Sequence, residues 1–210
     1  MVGRWLLALV LCSLPALARA GDVREWRFDV LLEDRPIGSQ VFRLTENGSQ
    51  ARMDIEASFD VKILFYTAYT YRHRNEEVWQ GDCLASIQST TDDNGKPFRI
   101  RGERNGDGFV IERGTARETL PTCVRSFAYW NPDYLRSANL LNSQTGDYEP
   151  VTVIDVGDDV LEVHGMPTKA RRVSLKGPKF DIALWYSPEN DWLALESTSK
   201  GGRRLRYVRQ

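Results

Sequence analysis

Alternation of apolar and polar side chains at every second residue governs this chain. Trp26, Phe28, Val30 and Leu32 share one parity, and Arg27, Asp29 and Glu33 hold the other. Met53, Ile55, Ala57, Phe59, Val61 and Ile63 alternate with Arg52, Asp54, Glu56, Ser58, Asp60 and Lys62, and Phe180, Ile182, Leu184 and Tyr186 repeat the pattern near the end. In an extended chain successive side chains point to opposite faces, so a period of two gathers each apolar set on one face of a sheet and leaves the other wet. Further strands are expected over 37–44, 64–79, 84–91, 97–104, 108–113, 150–156, 160–163, 168–175, 192–199 and 203–208.

Turn signals break these strands at short intervals. Asn47-Gly48 and Asn94-Gly95 are dipeptides that favour type I′ hairpins, where both central residues take positive φ. Pro36 to Gly38, Asn105 to Gly108, Gly157-Asp158, His164-Gly165, Gly177-Pro178, Pro188 to Asp191 and Gly201-Gly202 read as further turns. Many strands on short turns predict a mainly β chain, an antiparallel meander forming a strongly curled sheet or half-open barrel. One stretch departs from this. Between Cys123 and Asp147 the period of two disappears, and Phe127, Tyr129, Trp130, Tyr134 and Leu135 crowd together. Pro132 followed by Asp133 suits the start of a short helical turn, so a helical or irregular segment is expected near 127–140. A segment this apolar is expected to fold across the open side or end of the sheet.

The first twenty residues set the expected compartment. Arg4 precedes an apolar run from Trp5 to Leu14, Pro15 breaks it, and Ala18-Arg19-Ala20 follows. That is the layout of a cleavable secretory signal. The run is about 10 residues, too short for a spanning helix of roughly 20. Leu11 stands before Cys12 where a lipoprotein signal needs a small residue, so no lipid attachment is expected. Residues 21–210 are expected to form a single β-rich domain in the periplasm or outside the cell. Cleavage removes Arg4, Arg19 and no acid, which takes 28 basic and 29 acidic side chains to 26 and 29, a net charge of −3. Nucleic-acid binding calls for a basic excess, and nucleic acid is therefore not expected as a partner. Cys83 and Cys123 remain, and an even pair in an oxidising compartment predicts a disulfide. Closing a loop of about 40 residues is worth roughly 4 kcal/mol in the chain-entropy account.

Several short motifs occur in a fixed order: Trp79-Gln80-Gly81-Asp82-Cys83-Leu84, Asp93-Asn94-Gly95, Phe127-Ala128-Tyr129-Trp130-Asn131-Pro132 and Leu184-Trp185-Tyr186-Ser187. In this order the chain resembles a bacterial family of exported proteins known as domain of unknown function 6134, over nearly the whole mature length. The family label implies no activity and no catalytic residue. In outline it is similar to periplasmic half-barrels of the lipoprotein-carrier type, which implies a curled sheet around an apolar hollow. Fold alone does not fix function.

The residues themselves offer one unusual composition, Phe65-Tyr66-Thr67-Ala68-Tyr69-Thr70-Tyr71. Parity puts Phe65, Tyr69 and Tyr71 on one face. Tyrosine pairs an apolar body with a polar tip, which suits a partly wet pocket wall as well as an ordinary strand. The expected ligand-binding set is Phe65, Tyr69, Tyr71, Trp79 and Phe98, with Tyr129 and Trp130 as a lid. His73 shares the Tyr71 face and His164 falls in a turn, and two histidines without companions predict no metal site. Asp92-Asp93-Asn94-Gly95 lacks the ligand spacing of a calcium loop. No nucleophile elbow, zinc-protease helix motif or phosphate loop is present in the sequence, and no cofactor is expected. The basic residues Lys169, Arg171, Arg172, Lys176, Lys179, Lys200, Arg203, Arg204, Arg206 and Arg209 read as the solvated face of strands, or as a guide to anionic lipid headgroups.

The sequence thus predicts a non-enzymatic binder or carrier of an apolar molecule, a lipid or fatty acyl chain. A small outer-membrane barrel and an enzyme with a site assembled from scattered residues, around His73 and Tyr71, stand as alternatives. No protein partner is indicated. The exported protein should begin at Gly21, which intact mass measurement checks directly; retention of residues 1–20 in the exported form would remove the basis for the compartment.

Overall fold

The computed structural model describes residues 22–63, 65–198 and 202–210, so the export segment expected over residues 1–20 lies outside the described residues. Eight strands follow one another: β1 (Asp22–Leu32), β2 (Arg35–Asn47), β3 (Gln50–Ile63), β4 (Tyr66–Gln80), β5 (Cys83–Asp93), β6 (Lys96–Asn105), β7 (Gly108–Arg113) and β8 (Ala116–Leu120). After an irregular stretch holding the short strands β9 (Asn139–Leu141) and β10 (Tyr148–Pro150), five more run in sequence. These are β11 (Thr152–Val163), β12 (Met166–Gly177), β13 (Phe180–Tyr186), β14 (Trp192–Thr198) and β15 (Arg204–Arg209).

Thirteen of the strands make one antiparallel sheet, in the order β11-β12-β13-β14-β15-β1-β2-β3-β4-β5-β6-β7-β8. The two meanders join where β15 pairs with β1, Phe28 opposite Arg209 and Leu32 opposite Leu205. The sheet does not close. Its edges are β8 and β11, and residues 121–151 carry the chain from one edge to the other.

Burial follows the alternation. Trp26, Phe28 and Val30 are buried while Arg27 and Asp29 are exposed, and Met53, Ile55, Ala57 and Phe59 repeat this on β3. The outward face carries ion pairs such as Arg43–Glu25, Arg52–Glu76 and Arg72–Asp60. That polarity is the reverse of a membrane barrel, which turns its apolar side chains outward.

The connecting segment does not ride over the sheet as a lid. Val124, Ala128, Trp130, Leu135, Leu140 and Leu141 join Trp26, Phe28, Trp79, Leu84, Tyr186 and Trp192 in one apolar core. Trp130 stands edge-on to Trp79 with ring centres 5.9 Å apart, and Tyr134 stacks on Trp79 at 5.1 Å. Leu84 N donates to Val124 O, and the Tyr186 hydroxyl donates to Tyr129 O. The Cys83–Cys123 disulfide, with Cα atoms 5.0 Å apart, pins the start of the segment to the start of β5. Among the described residues 127–140 holds no helix. Isolated four-residue β-turns (Asn131 N to Ala128 O, Tyr134 N to Asn131 O, Arg136 N to Asp133 O) replace it, because core contacts rather than a helical repeat place these side chains.

Three expected turns are changed. The β1–β2 turn is Glu33-Asp34, both at positive φ (49° and 64°), and Pro36 to Gly38 lies within β2. Gly38 sits there because it takes φ 151° hard against β3, where an added Cβ would meet Ser58 O at 1.9 Å. Gly157-Asp158 is no turn, since 150–156 and 160–163 belong largely to one strand, β11, whose register shifts between Asp155 and Gly157. At the β2–β3 hairpin the connecting residues are Gly48-Ser49, with φ 62° at Gly48, so Asn47 ends the strand instead of entering a type I′ turn. Asn94-Gly95 behaves as expected, with φ of 53° and 85°.

Trp130→Ala should cost about 3–5 kcal/mol in chemical denaturation, because it empties a packed site. A change of well under 1 kcal/mol would mean that Trp130 covers an opening instead of filling the core.

Candidate functional site

An antiparallel meander puts alternate turns on opposite rims. One rim, here the near rim, holds Glu33-Asp34, the β3–β4 tip, Asn94-Gly95 and Gly114-Thr115, and the Leu32–Leu205 pairing brings the start of β15 to the same place. A second apolar cluster forms just inside it. Val30, Ala57 and Phe59 are buried there, with Ile37, Tyr71, Leu205 and Tyr207 half-buried against them. Phe59 stacks on Tyr71 at 5.3 Å, and Tyr71 on His73 at 6.1 Å. Tyr207 packs on both Phe59 and Phe28, and so links this cluster to the main core.

A polar border adjoins the cluster. The Tyr69 hydroxyl donates to Asp93 Oδ1 at 2.6 Å, the Tyr71 hydroxyl to Gln144 Oε1 at 3.1 Å, and Gln144 Nε2 to Asp93 Oδ2 at 3.3 Å. Behind it, His73 Nδ1 lies 2.8 Å from Thr91 Oγ1, and His73 Nε2 lies 3.5 Å from Ser143 Oγ. Ser143 and Gln144 come from the connecting segment. Asn142 holds their loop, since its Oδ1 accepts from the Gln144 and Thr145 amides.

Tyr71, Tyr129 and Tyr207 converge from three directions: β4, the connecting segment and β15. Burial raises the pKa of all three above the ordinary tyrosine value, and mutual repulsion of their ionised forms adds to it for Tyr129 and Tyr207. All three stay protonated across the physiological range, with the Tyr71 hydroxyl engaged by Gln144. Such a lining holds an apolar body and fixes one polar group.

Deeper along the inward face of β4 lies a buried polar row, His73, Asn75 and Glu77. Glu77 accepts from Asn75 Nδ2 at 2.9 Å and Trp79 Nε1 at 3.0 Å, and no cation reaches it among the described residues. Ser126 Oγ lies beside its carboxyl without a hydrogen bond of good geometry. Burial therefore raises the Glu77 pKa and lowers that of His73 to about 4.

The residues singled out in the sequence fall into four groups. Tyr69, Tyr71 and Tyr129 meet at the near rim. Trp79 and Trp130 are core, wholly enclosed by packing, and do not line an opening. Phe65 points into no hollow: it stands fully exposed at the β3–β4 tip, since the ribbon there runs past its neighbours. Phe98 is half-buried on β6 under the Lys96 ammonium, 4.9 Å from the ring centre. Phe59, Tyr207, Ile37 and Leu205 were not anticipated. The parity of β3 marked Phe59 as inward, whereas Tyr207 depends on the pairing of β15 with β1, which no local signal announces.

Two other features do not compete with this rim. A shallow concavity of about 620 Å³ crosses β2 to β6, lined mostly by outward side chains including Glu56, Arg72, Arg74 and Arg99. Its Arg74 and Arg72 are paired with Glu56 and Asp60. The one group of three potential metal ligands among the described residues, Asp82, Cys83 and Cys123, has both sulfurs tied in the disulfide.

A family model described as a domain of unknown function, DUF6134, matches residues 28–210. The crystal structure of a beta-barrel-like protein of domain of unknown function DUF1849 from Brucella abortus superposes with a TM-score of 0.66. It covers 91% of this chain and 97% of that one at 9% identity, a likeness of fold alone. No curated protein matches the sequence.

The buried pair on β4 gives stability two opposite pH slopes. An unfolded histidine takes up a proton near pH 6.5, which buried His73 refuses until about pH 4, so stability should fall by about 3 kcal/mol as pH drops through that window. Glu77 acts the other way: its contribution is complete below the unfolded value of 4.5 and is lost as pH rises towards its elevated folded pKa. Urea denaturation across this range should show His73→Gln flattening the acid limb and Glu77→Gln flattening the neutral one. Unchanged slopes in both variants would mean that neither group titrates as its burial requires.

Proposed function

The chain belongs to the DUF6134 family, a domain of unknown function, and from that premise we propose that it is an exported, non-enzymatic binder or carrier of an apolar molecule. The ligand class is a lipid or fatty acyl chain, and the site is the near rim. The observation that carries this reading is the convergence of half-buried Tyr71, Tyr129 and Tyr207 beside Phe59, Ile37 and Leu205. An acyl chain would pack on the rings and the Ile37 and Leu205 side chains. Its head would meet the tyrosine hydroxyls or the Asp93–Gln144 border. The disulfide accords with an oxidising compartment, and the signal-like residues 1–20 supply the route there.

A second reading rests on Ser143, His73 and Thr91. A neutral imidazole with Nδ1 directed at Thr91 leaves Nε2 free to accept from a serine hydroxyl, which is the arrangement of a nucleophile and its base. Two facts weigh against it: threonine cannot stabilise an imidazolium as a carboxylate does, and a pKa of about 4 makes His73 a weak base. Labelling of Ser143 by a fluorophosphonate would favour this reading.

A fluorescent acyl probe should bind the mature protein, and Tyr71→Ala should weaken it roughly tenfold or more, the effect of losing one partly buried aromatic contact. Arg74→Ala on the outer face should leave binding unchanged. Absence of probe binding by the wild type, or equal loss in both variants, would overturn the near-rim site.

A further inference from the structure

The β3–β4 hairpin extends beyond the rest of the sheet. β2 pairs with β3 only as far as Gly38–Phe59, and β5 pairs with β4 only as far as Tyr71–Asp93. Past those points Asp60 to Ile63 and Tyr66 to Thr70 pair with each other, as Asp60–Thr70, Val61–Tyr69, Lys62–Thr67 and Ile63–Tyr66, and only Thr70 still bonds the neighbouring turn, through Asn94.

This tip is built unlike the other turns of the near rim. Those use residues that favour tight turns: Glu33-Asp34 and Asn94-Gly95 at positive φ, Gly114-Thr115, and Pro178-Lys179. The β3–β4 tip has the sequence Ile63-Leu64-Phe65-Tyr66, with no glycine, proline or asparagine. Ile63 is 59% exposed, Phe65 106% and Tyr66 72%. Residues that favour turns have given way to apolar ones in the sequence, and Ile63, Phe65 and Tyr66 stand in water.

Charge at the same rim is unbalanced. The acids at its described turns are engaged: Glu33 by the Arg204 amide, Asp34 by Arg204 and Arg206, Asp60 by Arg72, Asp92 by the Gly95 amide, Asp93 by Tyr69 and Gln144, and Asp181 by Lys176. Arg35, Lys62, Lys96, Lys179 and Arg203 have no carboxylate within ion-pairing distance among the described residues. The C-terminal basic residues Arg171, Lys176, Arg204, Arg206 and Arg209, by contrast, are all paired.

We propose that the 60–70 hairpin is a membrane-docking wedge, which inserts Ile63 and Phe65 into the acyl boundary of an anionic bilayer and seats the near rim on its surface. Tyr66 belongs at the headgroup level, where an amphipathic ring is at home, and Lys62 can extend back to the phosphates along its own stem. The uncompensated cations meet the negative surface potential of such a membrane. A protein groove would also take Ile63 and Phe65. The free cations set on the same rim match a flat anionic surface. This inference stands independently of the acyl-ligand site.

Sedimentation of the mature protein with vesicles tests it. Wild type should pellet with vesicles of mixed phosphatidylglycerol and phosphatidylethanolamine, and only weakly with phosphatidylcholine alone. Phe65→Ser should weaken that binding roughly tenfold or more, from the loss of one inserted ring, with the thermal midpoint unchanged because Phe65 packs against nothing. Lys62→Glu with Lys179→Glu should weaken it further and reduce its sensitivity to salt. Three results would overturn the proposal: wild type left in the supernatant, equal pelleting by Phe65→Ser, or a wild-type dimer in sedimentation equilibrium that Phe65→Ser dissociates, which would assign the tip to a second copy of the chain.

Discussion

An antiparallel sheet with one apolar face must hide that face, and a sheet that does not close cannot do so by itself. Thirteen strands curl here without a pairing between β8 and β11. The inward side chains of both meanders would be left facing water. Residues 121–151 solve this because they have to travel from β8 to β11 in any case. The crossing is made through the interior, and Val124, Trp130, Leu135, Leu140 and Leu141 complete the core. At roughly 25 cal/mol per Å² of apolar surface, covering this face outweighs the lost regularity of the segment's backbone. The disulfide fixes where the crossing begins, and the Tyr134 hydroxyl bond to Gly81 O holds it to the far rim.

The filling is uneven along the interior. At the far rim the tryptophans pack face to edge and leave nothing for a ligand. Towards the near rim the segment becomes polar, Asn142 to Asp147, and the sheet offers tyrosines where it had offered tryptophans and leucines. Phenol rings there satisfy one another only in part, and the Asp93–Gln144–Tyr71 bonds draw the segment to β4 and β5. A ligand that replaces such contacts competes with side-chain hydrogen bonds at a border, a weaker opponent than a packed core. The same rim carries the exposed apolar tip of the β3–β4 hairpin and several unpaired cations, while Val156, Val160 and Met166 form a separate exposed apolar set on the β11–β12 ribbon.

β4 departs furthest from what an inward-facing strand requires. Its His73, Asn75 and Glu77 occupy three successive inward positions, and Asn75 Oδ1 and Ser89 Oγ have no hydrogen-bond partner. A protonated Glu77 would relieve part of this, since its hydroxyl could donate to the Asn75 oxygen while its other oxygen keeps the Trp79 indole. A buried carboxyl without a cation costs several kcal/mol if ionised. A row of apolar residues would be more stable, so the row is a cost that the rest of the core offsets.

Alternation determined that the chain is mainly β and which residues face inward along most strands, and turn-forming residues such as Asn94-Gly95 marked where most hairpins turn. A period of two is a property of the extended backbone and needs no partner to be read. The two cysteines and their pairing were likewise legible, because only two remain after residue 20. Tertiary structure decided what parity cannot. It set β15 against β1, which brought Tyr207 to Tyr71, and it chose the interior route for residues 121–151, which turned Trp79 and Trp130 from a pocket wall and lid into core. It also ended the pairing of β2 with β3 and of β5 with β4 short of the β3–β4 tip, so that Phe65, inward by parity, has no sheet to face. In each case the outcome depends on which distant strand ends nearby, a pairing energy shared between segments more than a hundred residues apart or set by neighbours' lengths, and no local pattern contains it.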